Sequence, residues 1–139
     1  MRRLVIAAAA ALVLLFDPAL ASAGVLIEVS TSAQTIKVTV DGEHVYTWPV
    51  STGIHGTPHG TFGQKLHFSP NHRSSLFNNA PMPHSIFYSG NYAIHGTIQE
   101  HRLGSRASMG CVRLSRANAA TLYKLVHQRR HETVIIIRR

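Results

Sequence analysis

The chain of 139 residues carries a single cysteine and a formal net charge of +8. One cysteine excludes a framework of intramolecular disulfides, and this length suits one domain with a real core. No linker, low-complexity tract or second domain is visible after residue 24.

The N-terminus has its own pattern. Met1-Arg2-Arg3 is followed by thirteen uninterrupted apolar residues from Leu4 to Phe16, then Asp17-Pro18 and the small residues Ala21-Ser22-Ala23. A basic start, a short apolar run and a small-residue site form the pattern of a secretory signal peptide. Thirteen residues are too few to cross a bilayer, which takes about 20, so a retained anchor is the weaker alternative. The expectation is a signal peptide over residues 1–23, a mature domain over residues 24–139, and export to the periplasm or cell envelope with no integral membrane span. Without Arg2, Arg3 and Asp17 the mature part keeps twelve Lys and Arg against five Asp and Glu. That excess attracts anionic partners. For an exported protein, a carboxylate-rich or phosphate-rich envelope polymer is a better candidate than nucleic acid, although the charge also serves solubility.

Val25 to Val29 and Ile36 to Val40 are rich in β-branched residues and read as strands. Asp41-Gly42 then predicts a two-residue type I′ hairpin, with His44 to Val50 as the return strand and Trp48 in the core. Ser51 to Gly63, dominated by Gly, Pro and Thr, reads as an ordered functional loop. Pro70, Asn78-Asn79, Pro81 and Pro83 make residues 64–85 irregular. Ile86 to Tyr88 and Tyr92 to Ile94 are short strands, with Phe87, Tyr88 and Tyr92 read as packing residues. Ser115 is placed to cap a helix whose apolar face is Ala119, Leu122, Tyr123 and Val126, and Val134 to Ile137 reads as a buried final strand. The sum is a mainly β single domain with one main helix near its C-terminus.

The chemistry centres on Cys111. An unpaired cysteine in an exported chain is a reactive thiol, a partner in an intermolecular bond, or an inert buried residue. A thiol nucleophile needs a neighbouring imidazole to manage its proton, and His95, at the end of a short strand, can supply one. Gly110 permits a sharp turn at which two consecutive backbone N–H groups converge on an oxyanion. Arg113 suits a bidentate clamp on a substrate carboxylate or, equally in kind, a structural ion pair. Zinc is disfavoured. His55 and His59 suit it only on a helix, which Gly56, Pro58 and Gly60 forbid, and a set of His95, His101 and Cys111 lacks a close ligand pair.

The segments His95-Gly96-Thr97 and Ser108-Met109-Gly110-Cys111-Val112-Arg113-Leu114, sixteen positions apart from His95 to Cys111, resemble the signature of the L,D-transpeptidase catalytic domain, or YkuD domain. The similarity extends to Ser51-Thr52-Gly53, to Thr57-Pro58 with Gly60-Thr61-Phe62, and to Ala80-Pro81-Met82-Pro83. The resemblance implies a β-sandwich or barrel-like fold, Cys111 as nucleophile and His95 as its base, with the Gly96 carbonyl orienting the imidazole. Ser108, Gly110, Arg113 and Thr97 would contact substrate. The implied reaction cleaves the bond before the terminal D-alanine of a peptidoglycan stem tetrapeptide and passes the acyl group to an amine. A hydrolytic carboxypeptidase and a non-catalytic wall-binding protein are the alternatives. No cofactor or metal is implied, the partners are peptidoglycan stem peptides, and a monomer is expected. Met109 departs from the family pattern, in which that position is commonly histidine.

Overall fold

A computed structural model describes residues 23–139; the expected signal peptide lies outside the described residues, apart from Ala23. Two sheets face each other. One has the strand order β3-β2-β1-β9-β4, from β1 (Val25–Ser30), β2 (Thr35–Val40), β3 (Glu43–Pro49), β4 (Gly60–Phe62) and β9 (Thr133–Arg138). The other has the order β5-β6-β7-β8, from β5 (His67–Arg73), β6 (Pro81–Ser89), β7 (Tyr92–Thr97) and β8 (Val112–Ser115). Helix α1 (Arg116–Gln128) follows β8 directly. The expectation of a mainly β sandwich with one main helix holds.

Alternation produces this architecture. In β1 every second residue is buried, so Val25, Ile27 and Val29 enter the core while their neighbours stay partly wet. Ile36 and Val38 of β2, Ile135 and Ile137 of β9, and Ile86, Ile94 and Leu114 of the second sheet meet them. Each such aliphatic side chain contributes roughly 1.5–3 kcal/mol on burial. Asp41 and Gly42 both have positive φ, at 50° and 80°, as the type I′ turn demands. Asp41 also accepts hydrogen bonds from Gly24 N–H at 2.9 Å and from Arg129 Nη2 at 2.6 Å, tying the hairpin to the end of α1. Ser115 caps α1, its hydroxyl accepting from Asn118 N–H at 3.1 Å, and Ala119, Leu122 and Val126 turn into the core.

Two expectations need correction. Residues 64–85 are not irregular: β5 and the first half of β6 pair antiparallel through them. Pro70 lies on β5, an edge strand. Pro81 and Pro83 lie in the half of β6 that pairs only with β5, because pairing with β7 begins at Ile86. Proline is tolerated where a strand has a free side, so these residues do not exclude a strand here. Trp48 is only partly buried, although it packs against the core. It sits on β3, the outermost strand, where it stacks on Tyr46 with ring centroids 4.4 Å apart. No helix among the described residues is long and apolar enough to cross a membrane.

Candidate active site

Strand register brings the sequence candidates together. In the parallel pairing of β7 with β8, His95 lies opposite Arg113. Cys111 stands just before β8, two residues from Arg113. All three line one cleft of about 390 Å³, together with Thr97 and Ser108. Backbone bonds brace Arg113 from a further side. Its N–H donates to the Ser51 carbonyl at 2.9 Å, and Ser51 N–H donates to its carbonyl at 3.0 Å. The Gly-rich segment after β3 is thus an ordered wall rather than a free loop.

His95 is buried, and its Nδ1 lies 2.7 Å from the Gly96 carbonyl oxygen. A carbonyl only accepts, so Nδ1 carries the proton and Nε2 keeps a lone pair. Burial depresses the imidazole pKa to about 4; the Gly96 bond offsets this in part, while Arg113 and His72 add to it. Burial also pushes the Cys111 thiol up, against smaller opposing effects from the Ala93 backbone N–H and Arg113. The thiol donates to the Asn91 carbonyl across 3.8 Å. Burial thus works against the charged form of both groups, and so against a preformed thiolate–imidazolium couple. His95 can serve as a general base that takes the proton as sulfur attacks.

The turn before Cys111 is shaped by Ser108. Its hydroxyl donates to the Cys111 carbonyl at 2.6 Å and accepts from Gly110 N–H at 3.1 Å. The Gly110 amide is therefore occupied by Ser108, so the expected pair of consecutive free amides at this glycine is not formed. Ser108 is a brace first, although it lines the cleft. Gly110 has φ of +135°, and a Cβ there would sit 2.6 Å from Tyr92 Cε1. Both the backbone and the packed ring require glycine. Gly96 is fixed differently, by close approach: an added Cβ would lie 3.1 Å from Pro83 and 3.3 Å from Ala119. The Thr97 hydroxyl accepts from Gln99 N–H at 3.0 Å. Arg113 Nη1 donates to Gln99 Oε1 at 3.3 Å and to the Ala107 carbonyl at 3.4 Å. None of the ion pairs among the described residues involves Arg113, which favours the substrate clamp over the structural pairing.

Several lining residues were not singled out from the sequence: Leu76, Phe77, Asn91, Ile98 and Gln99. Tyr92 and Phe87, read as packing residues, also line the cleft, whereas Tyr88 is buried in the core. The available signal was the run Ser74-Ser75-Leu76-Phe77-Asn78-Asn79, which sets two large apolar residues in a polar turn.

The model of the L,D-transpeptidase catalytic domain matches residues 24–136. Among solved structures, an L,D-transpeptidase from Mycobacterium smegmatis is 28% identical with a TM-score of 0.73, covering 84% of this chain and 59% of that one. An L,D-transpeptidase from Xylanimonas cellulosilytica is 24% identical with a TM-score of 0.72, covering 84% and 61%. One from Mycobacterium tuberculosis is 22% identical with a TM-score of 0.74, covering 84% and 58%; at these lower identities the likeness shows the fold alone. This chain therefore spans about three fifths of the length of these relatives. No match is found among curated proteins. With the family model matched over nearly the whole described chain, the protein belongs to the L,D-transpeptidase catalytic domain (YkuD) family.

Proposed function

We propose that the chain is an exported L,D-transpeptidase that acts on peptidoglycan stem tetrapeptides through an acyl-enzyme at Cys111. The observation that carries this reading is the Nδ1 bond of His95 to the Gly96 carbonyl, which leaves Nε2 as a base inside the cleft that holds the only cysteine. Sulfur attacks the carbonyl before the terminal D-alanine while Nε2 takes the thiol proton. The Cys111 N–H faces the developing oxyanion. The C–N bond then breaks, the imidazolium returns its proton to the leaving amine, and a thioester remains. An acceptor amine attacks that thioester, its proton passes to His95 and on to sulfur, and the C–S bond breaks. Arg113 holds the substrate's terminal carboxylate. Cleavage of residues 1–23 on export belongs to the same proposal, as does action as a monomer.

The test is direct. The purified chain is incubated with a stem tetrapeptide, and D-alanine release and the mass of Cys111 are followed. The expected result is release together with an acyl adduct, both abolished in Cys111→Ala while the fold is kept. Full turnover by Cys111→Ala would sink the mechanism. Binding to sacculi with no adduct would point to a wall-binding protein, and tripeptide as the sole product would point to hydrolysis.

A further inference from the structure

Gln34, in the turn between β1 and β2, is 5% exposed and has a φ of +53°. A residue other than glycine rarely adopts this left-handed backbone, and keeps it only where its surroundings hold it there. Both its backbone and its side chain bind the segment that follows β3. The Gln34 carbonyl accepts from Val50 N–H at 2.9 Å. Its Oε1 accepts from Thr52 N–H at 2.9 Å, while Nε2 donates to the Thr31 carbonyl at 2.8 Å and to the Thr52 hydroxyl. Thr52, fully buried, passes the connection on: its carbonyl accepts from Ala107 N–H at 2.9 Å and from Ser108 N–H at 3.1 Å. Ile54 N–H donates to the Ser108 carbonyl at 2.9 Å and closes the same junction. The Ser108 hydroxyl in turn holds the Cys111 carbonyl and the Gly110 amide. Gln34 itself does not line the cleft.

We infer that Gln34 is a positioning residue for the nucleophile: its side-chain amide fixes the Thr52 peptide, which sets Ser108 and so the turn that presents Cys111. The inference rests on the acyl-enzyme reading above. A buried amide with its donors and acceptor bonded gives direction, which an apolar residue of similar volume cannot. An aliphatic side chain at this position would fill the space but leave the Thr52 N–H without its partner. A carboxylate would keep the acceptor for Thr52 N–H, lose both N–H donors and face the Thr31 carbonyl oxygen. Bond-making at sulfur depends on fine placement, so a displaced turn loses rate rather than donor affinity.

The experiment follows acylation of Cys111 by mass spectrometry in the full chain, with a stem tetrapeptide as donor. The parent is compared with Gln34→Met, Gln34→Glu, Ser108→Ala and the double variant Gln34→Met, Ser108→Ala. In Gln34→Met the acylation rate constant at saturating donor falls by about 10²-fold, the scale of an ångström's misplacement, while the donor KM stays within about threefold. Alkylation of Cys111 by iodoacetamide, which needs no aligned carbonyl, stays within about threefold. On top of Ser108→Ala, Gln34→Met costs no more than about threefold further, because effects that run through one group do not add. Gln34→Glu, which keeps one of the Thr52 bonds, loses about tenfold and carries the test where Gln34→Met does not fold. A first-order rate constant at saturation is independent of how many molecules are folded, so a partly unfolded variant still reports. A rate within about threefold of the parent in either Gln34 variant, the full loss repeated on top of Ser108→Ala, or alkylation slowed as much as acylation overturns this inference and leaves the transpeptidase reading standing. Failure of both Gln34 variants to fold overturns it too, since Gln34 then serves the fold. No adduct in the parent overturns both.

Discussion

The two walls of the cleft are built in opposite ways. One is strand-borne. His95 and Arg113 sit opposite each other on β7 and β8, Cys111 enters from a turn braced by Ser108, and almost every polar group has a protein partner. The other wall is made of turns that carry Leu76, Phe77 and Ile98 into water. Hydrogen bonds in the first wall fix atoms to within fractions of an ångström, as bond-making requires. The second wall offers area without direction, which can choose a partner by size and polarity but cannot steer a proton. The first wall is built to hold polar atoms in place and the second to offer apolar area.

Changes to the strand-borne wall should cost far more than changes elsewhere. The largest expected effect is His95→Gln: acylation at Cys111 slows by about 10³-fold at pH 7, within the usual worth of a general base. Stopped-flow or mass-resolved acylation measures it, and a loss below tenfold would show that the imidazole is not the base. Next comes the pH dependence of stability. The folded-state pKa of His95, about 4, lies below the ordinary value of 6.5, so the folded protein refuses a proton that the unfolded chain accepts. Stability is undiminished above pH 6.5 and falls as pH drops toward 4, by about 3 kcal/mol in this contribution. Urea unfolding at pH 7 and pH 4.5 should therefore differ less in His95→Gln than in the parent. An unchanged difference would mean that the ring is not buried neutral.

Gly110→Ala sharpens the comparison from the backbone side. The added Cβ meets the Tyr92 ring and an unfavourable φ, and the turn must shift. A shift of that kind should cost about 10² in acylation rate with a smaller loss of stability. Equal losses in both would place the strain in the fold instead of the site. The smallest effect belongs to a side chain that does not line the cleft. Ser115→Ala removes the cap on Asn118 N–H and should cost about 1 kcal/mol in thermal unfolding with acylation unaltered. A change in acylation would couple α1 to the site more tightly than the packing of Gly96 against Ala119 already does.

Legibility in the sequence followed the physics of each element. β1, β2, the Asp41-Gly42 turn, α1 and β9 were readable because β-branched alternation, a two-residue turn and a capping serine are local signals. β5 and the start of β6 were not, because Pro70, Pro81 and Pro83 look like breakers until the topology shows which strand sides are unpaired. Trp48 misled for a related reason: its side chain is apolar enough for the core, but its strand is the last in the sheet. At the site, Cys111, His95 and Arg113 were legible from residue type and spacing, and one cleft brings them together. The bond from the Gly110 amide to Ser108 was not, since it depends on where the Ser108 hydroxyl points. Nor was the apolar wall, because a leucine and a phenylalanine in a turn carry no period from which to infer that they face a cleft.

The position of β9 has a consequence for how the molecule comes into being. This strand, the last among the described residues, inserts between β1 and β4, parallel to the former and antiparallel to the latter. Until residues 133–138 arrive, β1 has one free side and β4 has no strand neighbour. The larger sheet therefore cannot close until this segment is in place. Pairings of such long sequence separation form slowly, so the larger sheet is the slow part of this fold to complete.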